Sequence, residues 1–156
     1  MVRPAYVDPV SGEIDPDVDL RVEGQRRELV GHHVQVLGAI ALGGGLGAVA
    51  RYGLAQAMPV RPGQFPWATF VTNVSGCLLI GVLMVLVARA HRLVRPFFGV
   101  GVLGGFTTFS TYAVEFQNLL RAGQVGLAFA YLAGTLVSAV IAVLIGVKTT
   151  RSVVRA

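Results

Sequence analysis

The sequence has few of the groups on which soluble enzymes depend. It contains one cysteine, Cys77, which lies within an apolar stretch, so we expect neither an internal disulfide nor a cysteine metal site. Charged residues make up 13% of the 156 positions, whereas 54% are apolar and the mean hydropathy is +0.67. This composition lies outside the usual range of soluble proteins. It predicts a chain whose main solvent is lipid, and not an enzyme.

Acidic residues are almost absent beyond the N-terminal segment. Seven of the eight lie before residue 32, and only Glu115 follows. Residues 1–31 therefore carry seven acids against four arginines, a net charge of −3, and the remainder carries nine cations against one acid, or +8. We expect residues 1–31 to form a disordered cytoplasmic tail, 32–150 a transmembrane domain, and 151–156 a short basic tail. Cations beside apolar stretches suit membrane lipid headgroups better than nucleic acid.

Four apolar windows are long enough to cross a hydrocarbon core, at about 34–57, 67–88, 96–120 and 124–147. Lipid offers no partner to exposed backbone groups, so the windows predict an all-α protein with four transmembrane helices per subunit. Ten cations (four in the tail, three in the second loop, three after the fourth window) would share one side, against three on the other. The positive-inside rule then places both termini on the cytoplasmic side of the membrane. We expect that membrane to be a bacterial-type cell membrane.

The second and third windows carry uncharged polar residues at membrane depth. Asn73, in the segment 72–76, needs a hydrogen-bond partner there, which serves either helix packing or function. The segment 104–112 concentrates glycines and hydroxyls near the midplane, which predicts a break in the third helix near 104–107. The alternative for its glycines is a close packing face formed by Gly101 and Gly105.

An aromatic pair accompanies these hydroxyls. Phe109 and Tyr112 are three residues apart and share a helical face, beside Ser110 and Thr111. Ring edges carry partial positive charge, and hydroxyl or amide donors replace water around an anion without binding it too tightly to leave. Arg51, near the end of the first window, is either a snorkelling anchor or an attractor of anions into a vestibule. A proton-coupled transporter would require a carboxylate near the midplane, and no carboxylate lies there.

These segments resemble the CrcB/Fluc family of small fluoride channels. Three blocks carry the resemblance, in the family's order: residues 43–52, 72–76 and 104–112, the last containing Gly-Gly-Phe-Thr-Thr-Phe-Ser-Thr. The resemblance covers roughly residues 37–147 and leaves the acidic tail unmatched. It implies a channel that exports cytoplasmic fluoride passively and so lowers its toxicity. It also implies an antiparallel dimer of four-helix subunits, with the third helix broken and one structural Na⁺ held at the dimer centre.

The resemblance also implies roles for individual residues. Asn73 matches the pore amide, Phe109 the first pore phenylalanine, and Ser110 and Thr111 the polar track. The carbonyls of Gly104 and Thr107 match the sodium ligands, and Arg51 matches the vestibule arginine. Tyr112 departs from the family, which usually has a second phenylalanine there, and its hydroxyl needs a partner or water. The fourth window adds a weaker pore-lining prediction, namely Thr135 and Ser138, which share a helical face.

Other assemblies and functions stay open at this point. An antiparallel homodimer needs a nearly balanced cation distribution, and ten against three is unbalanced, which favours a heterodimer with a homologous subunit of opposite bias. The family also forms homodimers. The functional alternatives are a proton-coupled transporter of the small multidrug-resistance type, which lacks its acid in the first window, and a non-conducting membrane scaffold.

Overall fold

A computed structural model describes the backbone of residues 23–87 and 92–155, and the side chains of 33–87 and 92–154. All regular structure in these ranges is helical. Helix α1 spans Glu23–Ala57, α2 spans Trp67–Leu86, α3 spans Arg95–Leu103, α4 spans Ser110–Arg121 and α5 spans Val125–Arg155. Helix α3 has the wide winding of a π-helix and continues into a short α-helical turn, Gly104–Phe106. The expected all-α class is confirmed for the described residues.

Four helical segments are long and apolar enough to cross a membrane. They are His33–Ala57, Trp67–Leu86, Arg95–Arg121 and Val125–Val154, so the four predicted spans are confirmed. The helices extend past the predicted ends: α1 begins at Glu23 and α5 continues to Arg155. Segments such as Glu23–Leu29 contain mainly good helix formers, which continue a helix once it is established. The rest of the acidic tail, residues 1–22, lies outside the described residues.

Glycines set the distance between α1 and α3. A Cβ on Gly43 would collide with the carbonyl oxygen of Phe97, and a Cβ on Gly47 with that of Val102. From the other side, a Cβ on Gly105 would collide with the carbonyl oxygen of Gly44. Because glycine has no side chain at these positions, the two backbones approach closely, which is the packing typical of membrane helices. A Cβ on Gly101 would likewise crowd the carbonyl oxygen of Ile40, so the packing face expected from Gly101 and Gly105 is present and faces the first helix.

A second glycine contact joins α2 to α5. A Cβ on Gly81 would meet the carbonyl oxygen of Val143, and one on Gly146 would meet that of Leu78. Further along, Leu119, Ala128 and Tyr131 form a small buried cluster between α4 and α5. The subunit thus consists of an α1–α3 pair and an α2–α5 pair, with α4 packed against α5. The polar residues of α2 and of the α3–α4 connection lie where the two pairs meet.

Candidate anion pathway

The side chain of Asn73 bonds to the backbone of Thr108. Its Nδ2 donates to the Thr108 carbonyl oxygen and its Oδ1 accepts from the Thr108 amide, each at 2.9 Å. The partner that Asn73 requires at membrane depth is therefore the backbone between α3 and α4. There Thr107 is extended, with φ −74° and ψ 158°, and α4 begins at Ser110. One of the two Nδ2 hydrogens is used, which leaves the amide a second donor.

Gly76 makes room for this connection. It lies three residues after Asn73, on the same face of α2, and is buried. A Cβ at position 76 would collide with the Cγ2 methyl of Thr107. The Thr107 hydroxyl meanwhile donates to the carbonyl oxygen of Leu103 at 2.9 Å. The segment 72–76 therefore acts as a unit, in which an amide holds the connection and a glycine admits it.

Two carbonyls at the connection lose their usual helical donors. In a continuous helix the carbonyls of Gly104 and Thr107 would accept from the amides of Thr108 and Thr111. The Thr108 amide donates to Asn73 instead, and the Thr111 amide donates to the Thr108 hydroxyl at 3.2 Å. Gly104 is also exposed, and no atom lies within 4 Å of a Cβ placed on it. These are the two carbonyls that the family resemblance matches to sodium ligands.

Three hydroxyls cluster at the start of α4. Thr108 Oγ1 donates to Thr111 Oγ1 at 3.0 Å and lies 3.4 Å from Ser110 Oγ. By accepting from the Thr111 amide, Thr108 also fills the role of a capping residue. The predicted track residues Ser110 and Thr111 are therefore joined through Thr108, which sequence reasoning had not assigned. Its position just before a helix of hydroxyl-rich sequence was the available signal.

The aromatic pair lies beside these hydroxyls. The ring centroids of Phe109 and Tyr112 are 6.0 Å apart and tilted by 52°. Phe109 is 80% exposed in the single subunit. The Tyr112 hydroxyl donates to the backbone carbonyl of Leu132 in α5 at 2.6 Å. The partner that this tyrosine needs is thus within the subunit, and its ring remains next to Phe109.

Arg51 borders a cavity next to the hydroxyl cluster. Its Nε donates to the carbonyl oxygen of Gly105 at 3.1 Å, which holds the guanidinium against the short turn Gly104–Phe106 that follows α3. The cavity, called the Arg51 cavity below, has a volume of about 270 Å³. Its polar lining brings residues of three helices together: Arg51, Tyr52, Thr69, Thr72, Thr108 and Thr111. Arg51 and Thr111 of the predicted track therefore line the same cavity.

Glu115 forms a polar cluster that the sequence did not predict. Its Oε1 accepts from the Thr69 hydroxyl at 2.9 Å, and its Oε2 accepts from the Tyr131 hydroxyl at 2.7 Å. Tyr131 is fully buried and Thr69 is 6% exposed. Both carboxylate oxygens thus have donors from other helices, as a carboxylate at this depth requires. The signal in the sequence was that Glu115 is the only acid after residue 28.

Thr135 and Ser138 lie on α5, and among the described side chains neither bonds to the hydroxyl cluster at the start of α4. Thr135 is 4% exposed, and its hydroxyl has no hydrogen-bond partner among residues 33–87 and 92–154. No hydrogen bond within the same ranges links Ser138 to the hydroxyls of Thr108, Ser110 or Thr111. Their pore-lining role stays a prediction.

A multi-pass helical membrane protein with a cluster of uncharged hydroxyls beside a cavity lined by an arginine has features of a small ion channel. Comparison with known families agrees, because the family described as "CrcB-like protein, Camphor Resistance (CrcB)" matches residues 38–147. The chain belongs to this family.

Among its relatives, the chain is 57% identical to "Fluoride-specific ion channel FluC 2" of Nocardia farcinica over 119 residues, covering 74% of this chain and 85% of the relative. It is 53% identical over 125 residues to a protein of the same name from Streptomyces avermitilis, covering 78% and 79%. It is 50% identical over 123 residues to "Fluoride-specific ion channel FluC 1" of Streptomyces coelicolor, covering 77% and 80%.

Proposed function

We propose that this chain is a subunit of a fluoride-specific ion channel, through which cytoplasmic fluoride leaves the cell down its electrochemical gradient. The observation that carries the proposal is the uncharged donor cluster at the α3–α4 connection, found in a chain at least 50% identical to three proteins named fluoride-specific channels. Neutral donors lower the cost of dehydrating a small anion and still release it.

The pathway follows the contacts described above. The second Nδ2 hydrogen of Asn73 and the hydroxyls of Ser110 and Thr111 would supply the donors, and the neighbouring rings of Phe109 and Tyr112 would present their edges to the anion. Helix α4 begins here, and the N-terminus of a helix carries partial positive charge that favours an anion. Because the Tyr112 hydroxyl donates to α5, it leaves the ring free to act as the family's phenylalanine does. Thr135 and Ser138 are weaker candidates for the far wall.

The functional unit is an antiparallel dimer in which the third span is a broken helix. Phe109 is 80% exposed at the interruption, where a partner subunit would cover it and complete the aromatic lining. Extended backbone at membrane depth is tolerated only where protein buries it or an ion or water meets it. Asn73 satisfies part of this segment, and the proposed partner and ion satisfy the rest.

A structural Na⁺ at the dimer centre fits the residues present. Sodium is a hard cation that takes oxygen ligands, and the carbonyls of Gly104 and Thr107 have lost their usual donors to Asn73 and Thr108. Gly104 has open space beside it, as a position facing a second subunit requires. Two such pairs of carbonyls meeting across a dimer axis would repel one another, and a cation there offsets that repulsion.

The cation distribution supports cytoplasmic termini and a heterodimer. Ten cations on one side against three favour a single orientation of insertion, so a homologous subunit of opposite bias would supply the inverted partner. More than one such protein occurs in one organism, since Streptomyces avermitilis has relatives named "Fluoride-specific ion channel FluC 2" and "FluC 3". Normal flux from dimers of the purified chain alone would instead establish a homodimer.

Reconstituted vesicles test the function. Vesicles loaded with potassium fluoride receive the protein, with and without a coexpressed homologue, and a fluoride electrode records efflux after a potassium ionophore is added. The proposal predicts rapid efflux without any proton gradient. Efflux only under a proton gradient would identify a coupled transporter, and no efflux in either preparation would favour a scaffold.

A further inference from the structure

A second and larger polar cavity lies between the first and third loops. Its volume is about 560 Å³, and we call it the loop cavity. Its polar and charged lining comes from the α1–α2 loop and the end of α4: Arg61, Gln64, Glu115, Asn118 and Arg121. None of its exposed residues belongs to the proposed pathway. Its wall nevertheless includes Glu115, which bonds to Thr69 and Tyr131.

Two tight turns place the arginines at this cavity. The amide of Gln64 donates to the carbonyl oxygen of Arg61 at 3.1 Å, and Gly63 has φ +78°. With Pro62 before it, this is the pattern of a type II turn, in which the third position needs a positive φ. Helix α4 ends at Arg121, and Gly123, with φ +72°, terminates it in the left-handed conformation.

The balance of charge in the loop cavity favours an anion. Its lining carries two arginines and one carboxylate, a net charge of +1. Both oxygens of that carboxylate already accept hydroxyl donors, from Thr69 and Tyr131. The two arginines are exposed, and within residues 33–87 and 92–154 neither guanidinium pairs with a carboxylate. The amides of Gln64 and Asn118 add neutral donors.

The loop cavity adjoins the Arg51 cavity. Thr69 lines the Arg51 cavity and Glu115 lines the loop cavity, and their side chains are joined by the 2.9 Å hydrogen bond between Thr69 Oγ1 and Glu115 Oε1. One layer of side chains therefore separates the loops from the space that contains Thr108 and Thr111. An ion at the loop surface is close to the proposed pathway on this side of the membrane.

We propose that the loop cavity is an anion-collecting mouth of the fluoride pathway, in which Arg61 and Arg121 raise the local fluoride concentration. This inference rests on the proposed channel function and adds to it a place of entry and exit. Exposed charges of this kind steer ions by long-range attraction, which salt screens. A unit charge about 10 Å from an anion in water changes its local concentration about twofold, so the two arginines together contribute about fourfold.

The first test measures fluoride currents in planar bilayers at low and high ionic strength, with an impermeant salt setting the ionic strength. Arg61→Gln/Arg121→Gln should lower the current carried by fluoride that enters from the side of the loop cavity about fourfold at low ionic strength, and by less than about 1.5-fold near 1 M, where the Debye length is about 3 Å. Arg151→Gln, which removes an exposed charge from the C-terminal part of α5, is the matched control and should keep the wild-type current. Equal currents for the double variant and the wild type at low ionic strength would overturn the proposal.

A second test separates charge from structure after the channel has folded. Arg121→Cys is made in a Cys77→Ala background, so that the introduced thiol is the only one. Attaching an ethylammonium group through a thiosulfonate reagent should restore the current of Arg121→Cys, and attaching an ethylsulfonate group should lower it further. Identical effects of the two reagents would contradict a mouth that acts by charge. Conduction by the wild type with no change in any of these variants would refute this inference alone, whereas a wild type that is silent both alone and with a coexpressed homologue would refute the channel function itself.

Discussion

Replacing Asn73 by alanine removes both hydrogen bonds that hold the α3–α4 connection. The Thr108 amide and carbonyl lose their partner at a partly buried site, and each lost bond costs about 1–1.5 kcal/mol. We therefore expect Asn73→Ala to lower the free energy of unfolding by about 2–3 kcal/mol. The variant also loses the proposed hydrogen bond from Asn73 to fluoride, which in a desolvated site costs at least about 1.4 kcal/mol. Since about 1.4 kcal/mol corresponds to a factor of ten, fluoride flux should fall about tenfold or more.

The assay uses protein purified with and without a coexpressed homologue, and combines thermal unfolding in detergent with fluoride efflux from vesicles. Size-exclusion chromatography should show that the variant still dimerises, because Asn73 bonds within its own subunit. Ser75→Ala is the matched control: it lies two residues away on the same helix, and its hydroxyl bonds to the carbonyl of Val71 within that helix. Wild-type stability and flux in Asn73→Ala would refute both the structural role of its bonds to Thr108 and its proposed role as the pore amide.

Three further substitutions test other parts of the account. Tyr112→Phe loses one hydrogen bond to α5 and should cost about 1 kcal/mol in thermal unfolding, yet retain fluoride flux; a silent Tyr112→Phe would show that the hydroxyl belongs to the pathway. Gly105→Ala forces a Cβ onto the carbonyl of Gly44 and should cost about 1–3 kcal/mol, whereas Gly53→Ala, which has open space, should be neutral; equal stability of the two would contradict the α1–α3 packing. A Cβ at Gly104 meets open space within the subunit, so for Gly104→Val we expect normal folding with weakened dimerisation and altered sodium dependence, measured by chromatography and by flux with sodium replaced; unchanged values would remove Gly104 from the proposed ion site.

The four spans could be predicted from the sequence because lipid imposes one simple rule, an apolar helix of sufficient length. Their ends could not, because nothing in composition stops a helix at the membrane surface. Helix α1 begins at Glu23 and α5 continues to Arg155, through residues that favour helix on either side of the lipid boundary. The π-helical winding of Arg95–Leu103 has no signal in the sequence that we can identify.

The candidate site, too, has parts that could be predicted from the sequence and parts that could not. Residues close in sequence, such as Phe109 and Tyr112 or Ser110 and Thr111, could be grouped by helical spacing alone. Contacts between distant residues could not: the bond from Asn73 to Thr108 joins positions 35 apart, and that from Thr69 to Glu115 joins positions 46 apart. The sequence showed that Asn73 needed a partner, and only the packing of α2 against the third span identifies it.

The central claim is that uncharged donors and ring edges select fluoride. A bilayer recording with opposed gradients, high fluoride and low chloride on one side and the reverse on the other, tests it most directly, because the reversal potential reports which anion carries the current. We predict a reversal potential close to the fluoride equilibrium potential, and loss of the current in Phe109→Ala. A reversal potential near the chloride value, or an unchanged current in Phe109→Ala, would contradict it.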